Sequence, residues 1–216
     1  MKDVLCASML SGGLLLSAGC AQTVVVDASG TTKSGTIPPH VTYVVLPTTE
    51  VEKDQAFPEY AALVAGKMDS MGYKKTSEKT AQLGVFLAYA THEGISGTLG
   101  KPANSGMNMG GMGPGSPGGS GYGMSSGPSQ DASGQRMYTN QLIVVVVDLQ
   151  KSGNAAPIVE LWRGETTNLS HSKNFGQVAP LMVDAAFRHF GETTPDKVRH
   201  QFTEEEAKKL QETKEK

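Results

Sequence analysis

The feature that most constrains the fold is an uninterrupted apolar run over residues 142–147, in which every residue after Leu142 is β-branched. Six apolar residues are too few to cross a bilayer as a helix, and β-branched side chains favour extended backbone. The run is therefore predicted to be a central strand, within a longer strand over residues 138–149. The polar residues 151–154 predict a turn into a second strand over residues 158–167, which would complete a hairpin.

Four further segments have the periodicity of regular structure. Residues 41–46 and 83–91 are predicted to be strands, because both are short and rich in apolar residues. Two amphipathic helices are predicted from apolar residues at helical spacing, the first ending at Gly72 and the second at Gly191. The first helix is defined by Tyr60, Leu63, Val64, Lys67, Met68 and Met71, and the second by Ala179, Val183, Ala186, Phe187 and Phe190.

These segments together predict an α+β domain over residues 41–191. The expected architecture is a mostly antiparallel four-stranded sheet with two helices packed on one face. Residues 192–216 are expected to form a charged C-terminal tail, in which Thr203 and Glu206 have the spacing of a helix capping box. A partner-binding helix is the alternative interpretation of this tail.

The first twenty residues resemble the start of a bacterial prolipoprotein. Lys2 places a positive charge ahead of an uncharged stretch over residues 4–19, which ends in three small residues before Cys20. Residues 1–19 are accordingly predicted to be a lipoprotein signal peptide. The thiol of Cys20 is predicted to carry a covalent lipid that attaches the protein to the membrane. An ordinary secretory signal that contains a cysteine is the alternative.

The same resemblance bears on location. Ala21 follows the cysteine, whereas aspartate in this place is the familiar inner-membrane retention signal, so an outer-membrane protein that faces the periplasm is expected. Residues 20–40 include a Gly/Ser/Thr-containing stretch and two consecutive prolines. They are interpreted as the lipidated N-terminus and a flexible tether. Apart from the lipid on Cys20, no cofactor is expected.

The order of the predicted elements is similar to that of a family of bacterial lipoproteins catalogued as domain of unknown function 4136. The similarity extends over residues 41–191, and its most specific part is Leu161-Trp162-Arg163-Gly164 after a strand and a turn. Many members have an acidic residue before the strand that begins at residue 83, where this chain has Gln82. The family has no established activity, so the resemblance implies a fold and an envelope location but no mechanism.

Residues 94–135 lack the periodicity of core-forming elements. Eleven of the 26 glycines of the chain lie within residues 100–128, together with four prolines, so the segment is predicted to be a long disordered loop inserted in the domain. Met107, Met109 and Met112 lie within it, and Met124 follows. Because thioethers are soft ligands that suit Cu(I), handling of Cu(I) or another metal through this loop is the second functional hypothesis. The alternative is that methionine is merely tolerated there.

Charge and motif content narrow the function further. A net charge of −2 provides no basic surface for nucleic acid. The sequence has no Gly-x-Ser-x-Gly elbow, no His-Glu-x-x-His helix and no Walker loop, and its five histidines lack metal-ligand spacing. An enzyme is therefore not expected. The leading hypothesis is an envelope binding or assembly module that is attached to the membrane by its lipid. It would offer a helix face or a sheet edge to a protein, peptide or lipid.

Overall fold

The computed structural model describes residues 23–94, 136–151 and 158–212. Within these ranges the chain forms seven strands and three α-helices. The strands are β1 (Val24–Thr32), β2 (Thr42–Pro47), β3 (Lys74–Lys75), β4 (Leu83–Glu93), β5 (Tyr138–Asp148), β6 (Val159–Ser170) and β7 (Val198–Phe202). The helices are α1 (Phe57–Ser70), α2 (Ala179–Phe187) and α3 (Glu204–Glu212), and a short 3₁₀ turn (Phe175–Gln177) precedes α2.

All seven strands belong to one mixed sheet, in the order β3-β2-β4-β5-β6-β1-β7. Strand β2 runs parallel to both β3 and β4, whereas all the other neighbours are antiparallel. The parallel pair of β2 and β4 follows from α1, because a helix between two strands returns the chain to the starting end of the sheet. The longest ladders join β5 to β4 and to β6, so the apolar run over residues 142–147 lies in the middle of the sheet.

The hydrophobic core lies between one face of the sheet and helices α1 and α2. Alternate residues of β5 point into it, and Leu142, Val144 and Val146 are fully buried. In α2 every residue but Asp184 is buried, because the helix packs against the sheet and against the other two helices. Helix α1 buries one stripe, which consists of Tyr60, Val64, Ala65 and Met68.

The predicted four-stranded, mostly antiparallel sheet with two helices is wrong, because the structure has a seven-stranded mixed sheet and a third helix. Strand β1 lies in the segment interpreted as a tether, and β7 with α3 lies in the segment interpreted as a tail. Both strands are rich in polar residues and pair with each other, which places them at one side of the sheet. Strand β3 has only two residues and carries no periodicity.

The predicted capping box at the start of α3 is confirmed. The backbone N–H of Thr203 donates to the Glu206 carboxylate at 2.8 Å, and the backbone N–H of Glu206 donates to Thr203 Oγ1 at 3.2 Å. These bonds to Thr203 lower the pKa of the Glu206 carboxyl. Among the described residues, no helix is long and apolar enough to span a membrane.

Candidate functional site

A cleft of about 250 Å³ opens at one end of the sheet, where three separate segments meet. The first segment is the end of β1 with the residues that follow it, the second is the turn after α1, and the third is the turn after α2. None of the side chains that line the cleft is charged. The residues that line the cleft are Thr32, Gly35, Thr36, Ile37, Tyr73, Phe190 and Gly191.

The floor of the cleft is apolar and aromatic. Tyr73 and Phe190 meet edge to face, with ring centroids 5.9 Å apart and an interplanar angle of 70°. Phe190 also stacks on Phe187 at 5.4 Å and lies 5.0 Å from the Trp162 ring. Ile37 is buried beside them, and burial raises the pKa of the Tyr73 hydroxyl. An apolar group that enters the cleft therefore meets a preformed aromatic surface.

The aromatic floor is held from behind by Trp162, the single tryptophan of the chain. Its side chain is fully buried, and its indole N–H donates to the backbone carbonyl of Glu192 at 3.2 Å. The ring lies flat across Gly164, where a Cβ atom would come within 2.3 Å of Trp162 Cη2. The Trp-Arg-Gly sequence thus has a physical reason, because only glycine at position 164 leaves room for the tryptophan ring.

The rim of the cleft is fixed where the end of β1 meets the turn after α2. Thr32 Oγ1 donates to the backbone carbonyl of Gly191 at 3.0 Å, and the backbone N–H of Thr32 donates to Thr193 Oγ1 at 2.9 Å. Gly191 has a φ of +76°, a conformation that disfavours residues with a Cβ atom. These contacts hold Phe190 against the β1 end of the sheet.

One side of the rim carries exposed backbone. Gly35 and Thr36 are both exposed, and neither forms a hydrogen bond with another residue in the described part of the chain. Lys33, two residues before Gly35, still continues the ladder, because its N–H donates to the carbonyl of Leu161 at 3.0 Å. The cleft therefore combines an apolar floor with backbone donors and acceptors at its edge.

The cleft and the N-terminal end of β1 lie at opposite ends of the strand. Val24 begins β1 and is four residues after Cys20, whereas Thr32 ends β1 and lines the cleft. At about 3.3 Å per residue the two ends of β1 are about 26 Å apart. Phe202, the last residue of β7, pairs with Val24 of β1 and therefore lies at the same end of the sheet.

The residues that sequence analysis proposed for chemistry lie outside the described residues. This applies to Cys20 as the lipidation site and to the methionines Met107, Met109, Met112 and Met124 as Cu(I) ligands. Both proposals stay predictions. Within residues 23–94, 136–151 and 158–212, no group of three or more His, Cys, Asp or Glu side chains is arranged to hold a metal ion.

The sequence alone does not predict the cleft. Ile37 lies in the segment interpreted as a tether, and Tyr73 lies just beyond the predicted end of a helix. Phe190 was identified only as part of the apolar face of the second helix. The three residues come from segments that are far apart in the sequence, so no local pattern places them together.

Comparison with known proteins gives a family and a few structural similarities. The model of a family described as "Domain of unknown function (DUF4136)" matches residues 40–190. None of the curated proteins matches the sequence. A DUF4136 family protein from Bacteroides thetaiotaomicron is 13% identical with a TM-score of 0.39, over 76% of this chain and 92% of that chain.

Two other solved structures are similar at the same low level. A PDZ domain protein from Parabacteroides distasonis is 13% identical with a TM-score of 0.48, over 83% of this chain. This chain spans 39% of the length of that protein. The PelC dodecamer from Paraburkholderia phytofirmans is 10% identical with a TM-score of 0.40, over 77% of this chain and 99% of that chain.

Proposed function

The chain belongs to the family of domains of unknown function DUF4136, and we propose that it is an envelope lipoprotein that binds a peptide segment of a protein partner. The observation that carries this proposal is the cleft over Phe190, with its aromatic floor and its exposed backbone rim. The lipid on Cys20 would attach the module to the outer membrane, on the periplasmic side.

The size and chemistry of the cleft favour one apolar side chain as its occupant. Pockets for small organic ligands commonly measure about 300–1,000 Å³, whereas this cleft measures about 250 Å³. No charged side chain lines it, so it offers no counter-ion to a charged ligand. Burial of a leucine or phenylalanine side chain there would stabilise a complex by about 1.5–3 kcal/mol.

The rim favours a peptide over a free hydrocarbon chain. An extended peptide whose side chain enters the cleft would run past Gly35 and Thr36, whose backbone groups are available in the described part of the chain. Backbone hydrogen bonds would then supplement the apolar anchor, as in other modes of peptide recognition. A free acyl chain has no groups that use this rim.

The position of the cleft agrees with a membrane-attached module. Only residues 21–23 separate the predicted lipid from the start of β1, so the Val24 end of the sheet would lie near the headgroups. The Thr32 end would then point away from the membrane, at a distance of about 26 Å along the strand. A partner in the periplasm would reach the cleft without displacing the anchor.

Affinity capture with variants of Thr36 tests the proposal. Thr36 is exposed on the rim, so Thr36→Trp should fill the cleft without disturbing the core, and Thr36→Ser serves as the matched control. The full-length chain is captured from its native envelope, and thermal unfolding confirms that both variants are folded. We expect the same partner with the wild-type chain and with Thr36→Ser, and its loss with Thr36→Trp. Equal capture by all three proteins would overturn the proposal.

A further inference from the structure

Two histidines that are eleven positions apart in the sequence meet beside the edge strand β7. His189 follows the end of α2, and His200 lies in the middle of β7. Their Nε2 atoms are 2.9 Å apart, with ring centroids at 5.1 Å. Their spacing in the sequence is not that of metal ligands, so the sequence gives no sign that they meet.

The surrounding donors and acceptors fix the protonation of this pair. Arg188 Nη1 lies 3.4 Å from His200 Nδ1, and a guanidinium group can only donate, so His200 Nδ1 accepts. A neutral His200 then carries its proton on Nε2 and donates it to His189 Nε2. His189 consequently carries its proton on Nδ1, which faces the Glu192 carboxylate at 3.9 Å. One arrangement, with both rings neutral, satisfies all these contacts.

A further proton on either ring breaks this arrangement. If His189 gains a proton, an N–H on its Nε2 faces the N–H on His200 Nε2. If His200 gains a proton, an N–H on its Nδ1 faces the Arg188 guanidinium. In both cases two donors oppose each other in a partly buried position, which is unfavourable because neither finds an acceptor.

We propose that the His189–His200 pair is a proton-sensitive latch, which fastens β7 and α3 to the edge of β1 at neutral pH and releases them in acid. Strand β7 is the last strand of the sheet, and β1 is its one strand neighbour among the described residues. Its last residue, Phe202, is fully buried beneath the Arg188 guanidinium, which lies 4.9 Å from the ring centroid. Release would expose the backbone edge of β1.

Asp184 and Asp27 favour a proton on His200, but their effect is smaller than that of burial, Arg188 and His189, and each carboxylate is already paired. Asp184 of α2 forms ion pairs with Lys67 of α1 and with Arg188. Asp27 of β1 pairs with Arg199 of β7, and the Glu206 carboxylate of α3 caps its own helix through Thr203. Glu192 also faces the pair, and its carboxylate lies 3.9 Å from His189 Nδ1.

These surroundings set the direction of the pH dependence. Burial, Arg188 and His189 all lower the pKa of the His200 imidazole in the folded protein. Because the released strand has an ordinary histidine, it binds a proton more readily than the latched strand. The latch is therefore intact above the ordinary histidine pKa of about 6.5 and weakens as the pH falls below it. The opening constant should rise about tenfold per pH unit until the pKa of the latched form is passed.

A metal ion is a less suitable occupant of this pair. Arg188 places a positive charge next to His200, and no third ligand completes a site among the described residues. The test is nevertheless carried out in the presence of EDTA, so that adventitious metal does not contribute.

Amide hydrogen exchange of the full-length chain in mild detergent tests the latch. Protection of residues 198–202 is measured at pH 7.5 and 5.5 and corrected for the intrinsic exchange rate at each pH. We expect protection to fall about tenfold in β7, and to stay constant over residues 142–147 in β5. In the double variant His189→Gln/His200→Gln the fall should disappear, because glutamine does not titrate, whereas His171→Gln should retain it.

An unchanged protection of β7 in the wild-type chain would overturn the proposal, as would an equal fall in the double variant. If the double variant has already lost protection at pH 7.5, nitrogen-15 spectra of the wild-type imidazoles decide. We expect His200 to keep one proton, on Nε2, at a pH where an ordinary histidine already carries two. A His200 imidazole that titrates at an ordinary histidine pKa would contradict the latch.

Discussion

The replacement of Gly164 by alanine tests whether the Trp-Arg-Gly sequence supports the cleft. In the native packing a Cβ atom at position 164 would lie 2.3 Å from Cη2 and 2.9 Å from Cζ2 of Trp162. The ring cannot move aside easily, because its N–H is bonded to the carbonyl of Glu192 and the Phe190 ring lies 5.0 Å away, tilted by 57°. Overpacking of this kind typically costs about 1–3 kcal/mol, so Gly164→Ala should lower the free energy of unfolding by that amount.

Gly66→Ala is the matched control for this substitution. Gly66 lies inside α1, and a Cβ atom there would meet nothing within 4 Å. Alanine should therefore raise the free energy of unfolding by about 0.5–1 kcal/mol, because glycine is a poor helix residue. Urea unfolding of both variants, followed by circular dichroism, gives the midpoint and the slope m, and only the midpoint should change.

A double-mutant cycle identifies the cause of the loss. Trp162→Phe removes the second ring that Cβ would touch, so the double variant Trp162→Phe/Gly164→Ala should be more stable than the sum of the two single changes predicts. If Gly164→Ala is as stable as the wild-type chain, or if the two changes add without interaction, the account of Trp162 and Gly164 is wrong.

Three further predictions concern the anchor, the sheet and the glycine-rich segment. Cys20→Ser should release the protein from the membrane fraction, and a variant that stays there with its fatty-acid label would disprove lipidation. Val144→Asp should prevent folding, because Val144 is fully buried. Val145→Asp should destabilise the fold less, because Val145 is half-buried on the other face. Equal stability of the two variants would contradict the assignment of faces. Replacement of residues 98–134 by a short Gly-Ser bridge should leave the melting temperature within about a few degrees, since closure entropy changes by only about 0.6 kcal/mol per halving of loop length; loss of cooperative unfolding would refute this.

The central elements of the fold can be predicted from the sequence because their signals are local. The β-branched run over residues 142–147 specifies β5, and the helical spacing of Tyr60, Val64 and Met68 specifies α1. Each of the four predicted strands is present, with bounds that shift by up to three residues. A strand that is buried on both faces, or a helix that is buried along one stripe, has a spacing of apolar residues that can be recognised in the sequence.

The side of the sheet that contains β1 and β7 lacks the strong apolar signal of the central strands. In β1 the apolar character of the sequence is interrupted by Asp27, Ser29 and Gly30. In β7 the exposed residues Arg199 and Gln201 alternate with the inward ones. The two strands pair across more than 160 positions, so the energy that forms them comes from tertiary contacts. The resulting sheet is wider than local propensity indicates, which explains the wrong prediction of four strands.

The candidate sites depend on the same long-range contacts. Ile37 and Phe190 meet only because β1 lies beside α2, and His189 meets His200 only because β7 closes that edge. The sequence does contain one useful local signal, the glycine two residues after Trp162. This glycine, Gly164, lies so close to the Trp162 ring that no side chain fits. The same contact explains why Trp162 and Gly164 occur together in the most specific part of the family resemblance.

Site-specific photo-crosslinking in the native envelope shows whether a protein partner occupies the cleft. A photoreactive amino acid is placed at Thr36 on the rim of the cleft, or at Thr203, which follows Phe202 near the Val24 end of the sheet. Both positions are exposed. We expect a discrete protein adduct from position 36 and lipid adducts from position 203. Lipid adducts alone from position 36, with the protein adduct from position 203, would contradict the proposal.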